Sequence, residues 1–235
     1  MIYCASDLHG DYTKYRSLLE KISLRDRDTL YILGDVIDRG PDGIKILRDM
    51  MVRPNVLPIL GNHEFVAAAC LGWLLDDITE ESLAALGAAQ LGALQGWMNN
   101  GGTPTFLAVC ELSREEREEI LEYIKEMELY AQVEAGGRSF LLVHAGLDHF
   151  SPEKDLEDYD LEDFLFCRPE RNQLYDLDQY LVYGHTPTRS LRHQLGEPPA
   201  DTILRWGSQI AIDCGCGFGG CLGCLCLDTM EEFYV

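Results

Sequence analysis

Acidic, amide and imidazole side chains recur in this chain wherever an apolar run ends. Asp7 and His9 follow Ile2-Tyr-Cys-Ala5, Asp35 follows Thr29-Leu-Tyr-Ile-Leu33, and Asn62 and His63 follow Asn55-Val-Leu-Pro-Ile-Leu60. Far downstream, His144 follows Ser139-Phe-Leu-Leu-Val143 and His185 follows Tyr180-Leu-Val-Tyr183. Open α/β sheets place their chemistry at the carboxyl ends of strands, so the five runs are expected to deliver these groups to one place. Two Asp, three His and an Asn (Asp7, His9, Asp35, Asn62, His144, His185) are a donor set for two adjacent divalent cations. Imidazole suits transition metals, carboxylate and amide oxygens suit harder ions, and one carboxylate can bridge both. A lone histidine is more often structural than ligating, but four of the six here fall in separate strand-end strings; His149 and His193 have no such context.

The elements that must position these groups follow from periodicity. Asp11 to Leu24 carries Tyr15, Leu18, Leu19 and Ile22 at helical spacing, and Pro41 to Met51 repeats the pattern with Ile44, Ile46, Leu47 and Met50. The first sixty residues therefore read β-α-β-α-β. The separations Asp7–Asp35 and Asp35–Asn62 approach the ~30 residues of a right-handed, parallel βαβ unit. Phe65 to Leu75 and Glu81 to Met98 are Ala- and Leu-rich helical stretches, Asn99 to Pro104 reads as a loop, and Ser113-Arg-Glu-Glu116 opens a further helix with a capping box. About residues 65–130 are thus expected to be a helical insertion within a single domain spanning 1–235. Ala135-Gly-Gly-Arg138 joins two strands as a hairpin. Asp148 to Asp163 and Leu195 to Ala200 read as loops. Ile203–Arg205, Gln209–Ile212 and Gly223–Leu227 suggest a second, mostly antiparallel sheet. The expected fold class is α/β (α+β), two sheets back to back and flanked by helices.

Composition excludes several classes of function. With 235 residues, 46% of them hydrophobic and 25% charged, the chain is long enough for a large core. Its net charge of −21 argues against nucleic-acid partners, which Lys and Arg must neutralise. The apolar stretches are strand-sized, so no membrane span is expected, and the start lacks a basic segment followed by a secretory apolar run. A cytoplasmic location is the expectation. Nine cysteines in such a chain read as thiols rather than a disulfide framework. Five lie between Cys214 and Cys226, and Cys221-Leu-Gly-Cys224 has the spacing of a metal knuckle. Small apolar filling of a strand is the stronger reading for them.

Asp7-Leu-His-Gly10, Gly34-Asp-Val-Ile-Asp-Arg-Gly40, Gly61-Asn-His-Glu64, His144-Ala-Gly146 and Gly184-His-Thr-Pro187, in that order, resemble the metal-dependent phosphoprotein phosphatase family within the calcineurin-like metallophosphoesterases, of the compact bacterial and phage type. The resemblance runs from residue 7 to about 227, with weaker echoes at Asn100-Gly-Gly102, Arg168 and Ile212-Asp-Cys-Gly215. It implies two divalent metal ions, with Mn2+ expected and Fe or Zn compatible with the donors. Asp7 and His9 would hold the first, Asp35 would bridge, and Asn62, His144 and His185 would hold the second. It further implies in-line attack on phosphorus by a hydroxide shared between the ions, with no covalent enzyme intermediate. His63 would be the general acid, Asp38 would orient it, and Arg39 and Arg168 would clamp the phosphate. Ser6 departs from the family's usual Gly, and Cys214 from its common Thr; Ser6 bears on how closely the first loop approaches the metals.

The resemblance implies a serine/threonine protein phosphatase acting on phosphorylated proteins or small phosphorylated substrates. The alternative in the same superfamily is a dinucleoside polyphosphate hydrolase that cuts a phosphoanhydride. Glu64 leans toward the protein phosphatases, because symmetrical diadenosine tetraphosphate hydrolases commonly carry Asp there. A third reading, a regulatory binding protein on a retired phosphatase scaffold, would require gaps in the donor set that the sequence does not show. Glu64 itself is expected to give hydrogen-bond support rather than ligation, and Asp213 to be structural.

Overall fold

A computed structural model describes residues 1–76, 78–169 and 178–235. The first part alternates as expected: β1 (Ile2–Ala5), α1 (Tyr12–Lys21), β2 (Thr29–Leu33), α2 (Gly43–Met51) and β3 (Val56–Ile59). The strands pair in parallel, Ile2 with Thr29 and Leu30 with Val56. Helices α3 (Asn62–Leu71), α4 (Glu80–Ala84), α5 (Ala88–Trp97), α6 (Thr103–Cys110) and α7 (Arg114–Lys125) follow. Next come β4 (Tyr130–Ala135), β5 (Arg138–Val143), α8 (Leu161–Leu165), β6 (Tyr180–Tyr183), α9 (Thr188–Leu195), β7 (Leu204–Trp206), β8 (Gln209–Ala211), β9 (Gly223–Cys226) and β10 (Glu232–Tyr234). Two five-stranded mixed sheets result, ordered β10-β9-β1-β2-β3 and β4-β5-β6-β8-β7, with helices against them.

Strand alternation sorts the core into layers. Tyr3, Ala5, Leu30 and Ile32 pack with α1, α2 and the α3–α7 helices. Cys4 and Leu33 face Phe140, Leu142 and Val182 of the second sheet. The outer face of that sheet is covered by Phe164 and Leu191 from α8 and α9.

Four expectations are corrected. The second sheet is not mostly antiparallel: β5–β6 and β6–β8 are parallel, and α8 and α9 lie on the respective long connections that parallel neighbours need. That parallel pair aims the ends of β5 and β6, and hence His144 and His185, at the same edge. The Gly223–Leu227 run joins the first sheet, antiparallel to β1, with Cys224 and Cys226 in the helix-side core and Leu225 and Leu227 between the sheets. Glu81 to Met98 is two helices broken at Gly87. Asn99 to Pro104 is shorter than a full loop: the backbone leaves helical geometry only at a kink at Asn100 and Gly101, and Thr103 and Pro104 already belong to α6. The nine cysteines are thiols rather than disulfides, and no cysteine belongs to any group of side chains close enough to hold a metal among the described residues. No helix of the described residues is long and apolar enough to cross a membrane.

Candidate functional site

The strand-end turns are locked together before any side chain is considered. The amides of Asp7, His9 and Gly10 donate to the carbonyls of Gly34, Asp35 and Val36, at 3.1, 2.8 and 2.8 Å. Asp7, His9, Asp35, Asp38, Arg39 and His185 all have φ between 44° and 69°. Left-handed backbone at non-glycine residues costs on the order of 1 kcal/mol or more each and clusters at functional sites, where surrounding structure holds it. Glu64 is part of that structure. Its buried carboxylate accepts the amides of Asp35 (2.8 Å), Val36 (2.8 Å) and Ile37 (3.1 Å). Gly184 is required by close approach, since a Cβ there would lie 2.2 Å from Asp7 Oδ2. Ser6 donates its hydroxyl to that same Asp7 oxygen, so the serine that replaces the family's glycine acts directly on a candidate ligand.

The structure brings all six candidate ligands into one buried nest. Asn62 Oδ1 lies 3.0 Å from His144 Nε2 and 2.9 Å from His185 Nδ1, and the two imidazole nitrogens are 3.2 Å apart. His144 Nδ1 donates to the Leu33 carbonyl at 2.7 Å, so its Nε2 presents a lone pair. Asp35 stands between the two halves, with Oδ1 3.5 Å from His144 Nε2 and Oδ2 3.6 Å from His9 Nε2. Asp7 Oδ1 is 3.9 Å from His9 Nε2. His9 Nδ1 donates to the Ile37 carbonyl at 3.1 Å, leaving Nε2 as its ligand atom; Arg39 Nη1 donates to that atom at 2.7 Å.

The electrostatics match a cation site. Burial lowers His9 and His185 to about 3 and also lowers His144, so all three are neutral imidazoles with lone pairs to give. Burial, together with Asp213 and Asp35, pushes Asp7 well above the carboxylate range. Asp213, whose Oδ1 accepts the Gly215 amide at 2.8 Å, is raised to about 7, mainly by burial. Converging lone pairs and crowded carboxylates are the arrangement that positive charge relieves. The His/Asp donors of two groups, His9–Asp35–His63 and Asp35–His144–His185, each lie within 4.8 Å of one another and share Asp35. A third group, Asp148–His149–Asp163, is an exposed ion-pair cluster that also engages Lys154.

His63 differs from its neighbours. Its Nδ1 donates to Asp38 Oδ2 at 2.7 Å, and its Nε2 faces Asp35 Oδ2 at 3.8 Å and Arg39 Nη2 at 3.3 Å. Burial pulls its pKa down, but the Asp38 hydrogen bond and the charges of Asp35, Asp38 and Glu64 outweigh it, so His63 is raised. Asp38 is fully buried and is fixed by Trp97 Nε1 at 2.9 Å on the same oxygen, while Thr105 Oγ1 accepts its amide at 3.0 Å. The Asp38 carboxylate is thus engaged by His63 and Trp97. Arg39 is positioned by its amide on the Gly101 carbonyl (2.7 Å) and by Phe218, whose ring centroid lies 4.3 Å from its Cζ. Arg168 is exposed and lines a cleft beside the nest, near enough for its charge to act on His185. Sequence reasoning missed Trp97, Thr105 and Phe218. The first two are ordinary residues of the helical segment, and Phe218 is a single aromatic among glycines.

The two-sheet fold and this histidine–carboxylate nest define a metallophosphoesterase. The calcineurin-like phosphoesterase family model matches residues 1–208, and the chain belongs to that family. It is 31% identical over 148 residues to a symmetrical bis(5'-nucleosyl)-tetraphosphatase of Acidovorax sp. (strain JS42), covering 62% of this chain and 44% of that protein. It is 28% identical over 211 residues to the enzyme of that name from Haemophilus ducreyi, covering 87% and 63%. The chain thus spans about half the length of such relatives. Among solved structures, a protein proposed to be a diadenosine tetraphosphatase superposes with a TM-score of 0.67 at 17% identity, over 100% of this chain and 92% of that one. A serine/threonine phosphatase from Saccharomyces cerevisiae superposes at 0.52 and 13%, over 100% and 79%. At such identities the structural likeness speaks for the fold alone.

Proposed function

We propose that this chain hydrolyses dinucleoside polyphosphates at a phosphoanhydride, releasing two nucleotides. This reverses the order of the two readings taken from the sequence. The reading is supported by the identity to symmetrical tetraphosphatases, 31% over 62% of this chain and 28% over 87% of it. Glu64, which favoured a protein phosphatase, has all its hydrogen bonds to the 35–37 backbone; it shapes the loop and says nothing about substrate. Room is a second support. Two clefts, of about 510 and 420 Å3, border the 215–220 segment beside the nest, and a substrate with a nucleoside at each end needs space of that kind.

In this proposal Asp7, His9, Asp35, Asn62, His144 and His185 hold two divalent ions. When bound, the ions would place positive charge on the phosphoryl oxygens and lower the pKa of a water. Arg39 and Arg168 orient the phosphoryl group through their planar forks. His63 Nε2 gives a proton to the leaving oxygen, and Asp38 keeps that imidazole oriented and charged. The α3–α7 helices belong to the same domain as an insertion that supplies Trp97 and Thr105 to Asp38.

The test is turnover of diadenosine tetraphosphate and of a phosphothreonine peptide with added Mn2+, each against a chelated control. Preferential, metal-dependent production of adenosine diphosphate is expected. Efficient peptide dephosphorylation with no anhydride hydrolysis would restore the protein-phosphatase reading.

A further inference from the structure

The larger cleft has an unusual wall. Phe218 is 69% exposed, in a segment that Gly217 brings against His9. The segment cannot move inward or collapse: a Cβ on Gly217 would lie 2.3 Å from His9 Cδ2, and Lys14 Nζ holds the Gly220 carbonyl at 2.9 Å. The turn closes on itself through the Phe218 and Gly220 amides, both donated to the Gly215 carbonyl. The ring is therefore held out at the site by a fixed frame, with one face on the Arg39 guanidinium. The other side chains in the cleft are mostly polar. Arg189 gives Asp201 two hydrogen bonds, at 2.9 and 2.5 Å, and Ser190, Arg168 and Pro187 also line the cleft. A space of about 510 Å3 lies within the size range of small-molecule pockets, ~300–1,000 Å3, and here one aromatic plate stands among polar groups that can fix an orientation.

We infer that this cleft receives one nucleoside of the substrate, with its base stacked on Phe218. The inference rests on the dinucleoside polyphosphate reading and adds the residue that would select for a base. An aromatic plate gives sequence-tolerant stacking to any base, and Asp201, already oriented by Arg189, offers remaining lone pairs to ribose hydroxyls. Phe218 then links recognition to chemistry, because the ring that takes the base also bears on the arginine that faces phosphate.

The experiment compares wild type, Phe218→Ala and Phe218→Trp on diadenosine tetraphosphate and on inorganic tripolyphosphate, which has the anhydride but no base. The ratio of kcat/KM for the two substrates is expected to fall roughly 5- to 150-fold in Phe218→Ala, the range for one stacked base, and to be retained in Phe218→Trp. Equal loss on both substrates would overturn the inference and leave Phe218 as a support for Arg39. Inhibition of tripolyphosphate hydrolysis by adenosine diphosphate and by pyrophosphate separates the two levels of the argument. If wild type does not cleave diadenosine tetraphosphate, yet adenosine diphosphate inhibits better than pyrophosphate and loses that advantage in Phe218→Ala, the cleft stands and the proposed substrate falls. If adenosine diphosphate has no advantage in wild type, the nucleoside cleft is overturned.

Discussion

Around Asp35 each of the five other candidate ligands comes from the end of a strand or the first turn of a helix, and backbone hydrogen bonds fix the loops before a ligand arrives. At Phe218, one arginine away, a large ring stands in solvent on a glycine-rich turn. The two regions differ in what they must tolerate. The nest needs donors fixed to a fraction of an ångström, so burial, strained φ angles and Glu64 hold it. The cleft needs an accessible surface, so it keeps one apolar plate at the cost of exposing it. In the proposed function, reaction class is therefore built into the nest, and discrimination between substrates belongs to the rim.

That division can be broken first at His63. Replacing it with Asn is expected to cost ~10²–10⁴ in kcat on a phosphomonoester with a poor leaving group. The loss should be smaller on diadenosine tetraphosphate, whose nucleotide leaving group needs its proton less. Equal losses on both, at unchanged metal content, would remove His63 from the role of general acid. A smaller effect is expected for Glu64→Gln. The amide would set an NH2 against backbone N–H groups that now meet a carboxylate, so Mn2+ affinity by calorimetry should weaken ~10–100-fold with no change in relative preference among substrates. A change in preference would make Glu64 part of recognition.

Smallest is the effect of a carboxylate far from both regions. Burial raises Asp49, but hydrogen bonds from Arg53 and Tyr15 (2.5 and 2.8 Å) outweigh it and hold its pKa below the ordinary value. A lowered carboxyl stabilises the fold above its unfolded pKa of ~3.9, and that stability disappears as pH falls through the folded value. Asp49→Asn should thus destabilise by about 1 kcal/mol at pH 7, with the difference from wild type in urea melts shrinking as pH falls below the unfolded pKa of ~3.9, and activity should be untouched.

The nest was legible in the sequence because each donor follows an apolar run, and strand ends converge in α/β sheets. Helices α1, α2 and α7 were legible from period and capping. What was not legible depended on long-range pairing. Gly223–Leu227 alternates for a sheet without saying which, and it joins β1 only because residues more than 200 positions away lie alongside. The parallel β6–β8 pair was hidden because α9 is short and polar, with only Thr188 and Leu191 buried. Glu64 was legible as hydrogen-bond support, and its bonds run to the 35–37 backbone; its residue type carries no direct information on substrate. Phe218 carried no periodic signal, and only its exposed position beside Arg39 gives it meaning.

The central claim, that Asp35 joins two cation sites, is tested most directly by anomalous diffraction from crystals grown with Mn2+. Two peaks are expected, one among Asn62, His144 and His185 and one beside Asp7 and His9, both within bonding distance of Asp35 and both diminished in Asp35→Asn. Manganese bound elsewhere, or a nest left empty at saturating Mn2+ in an active enzyme, would contradict it.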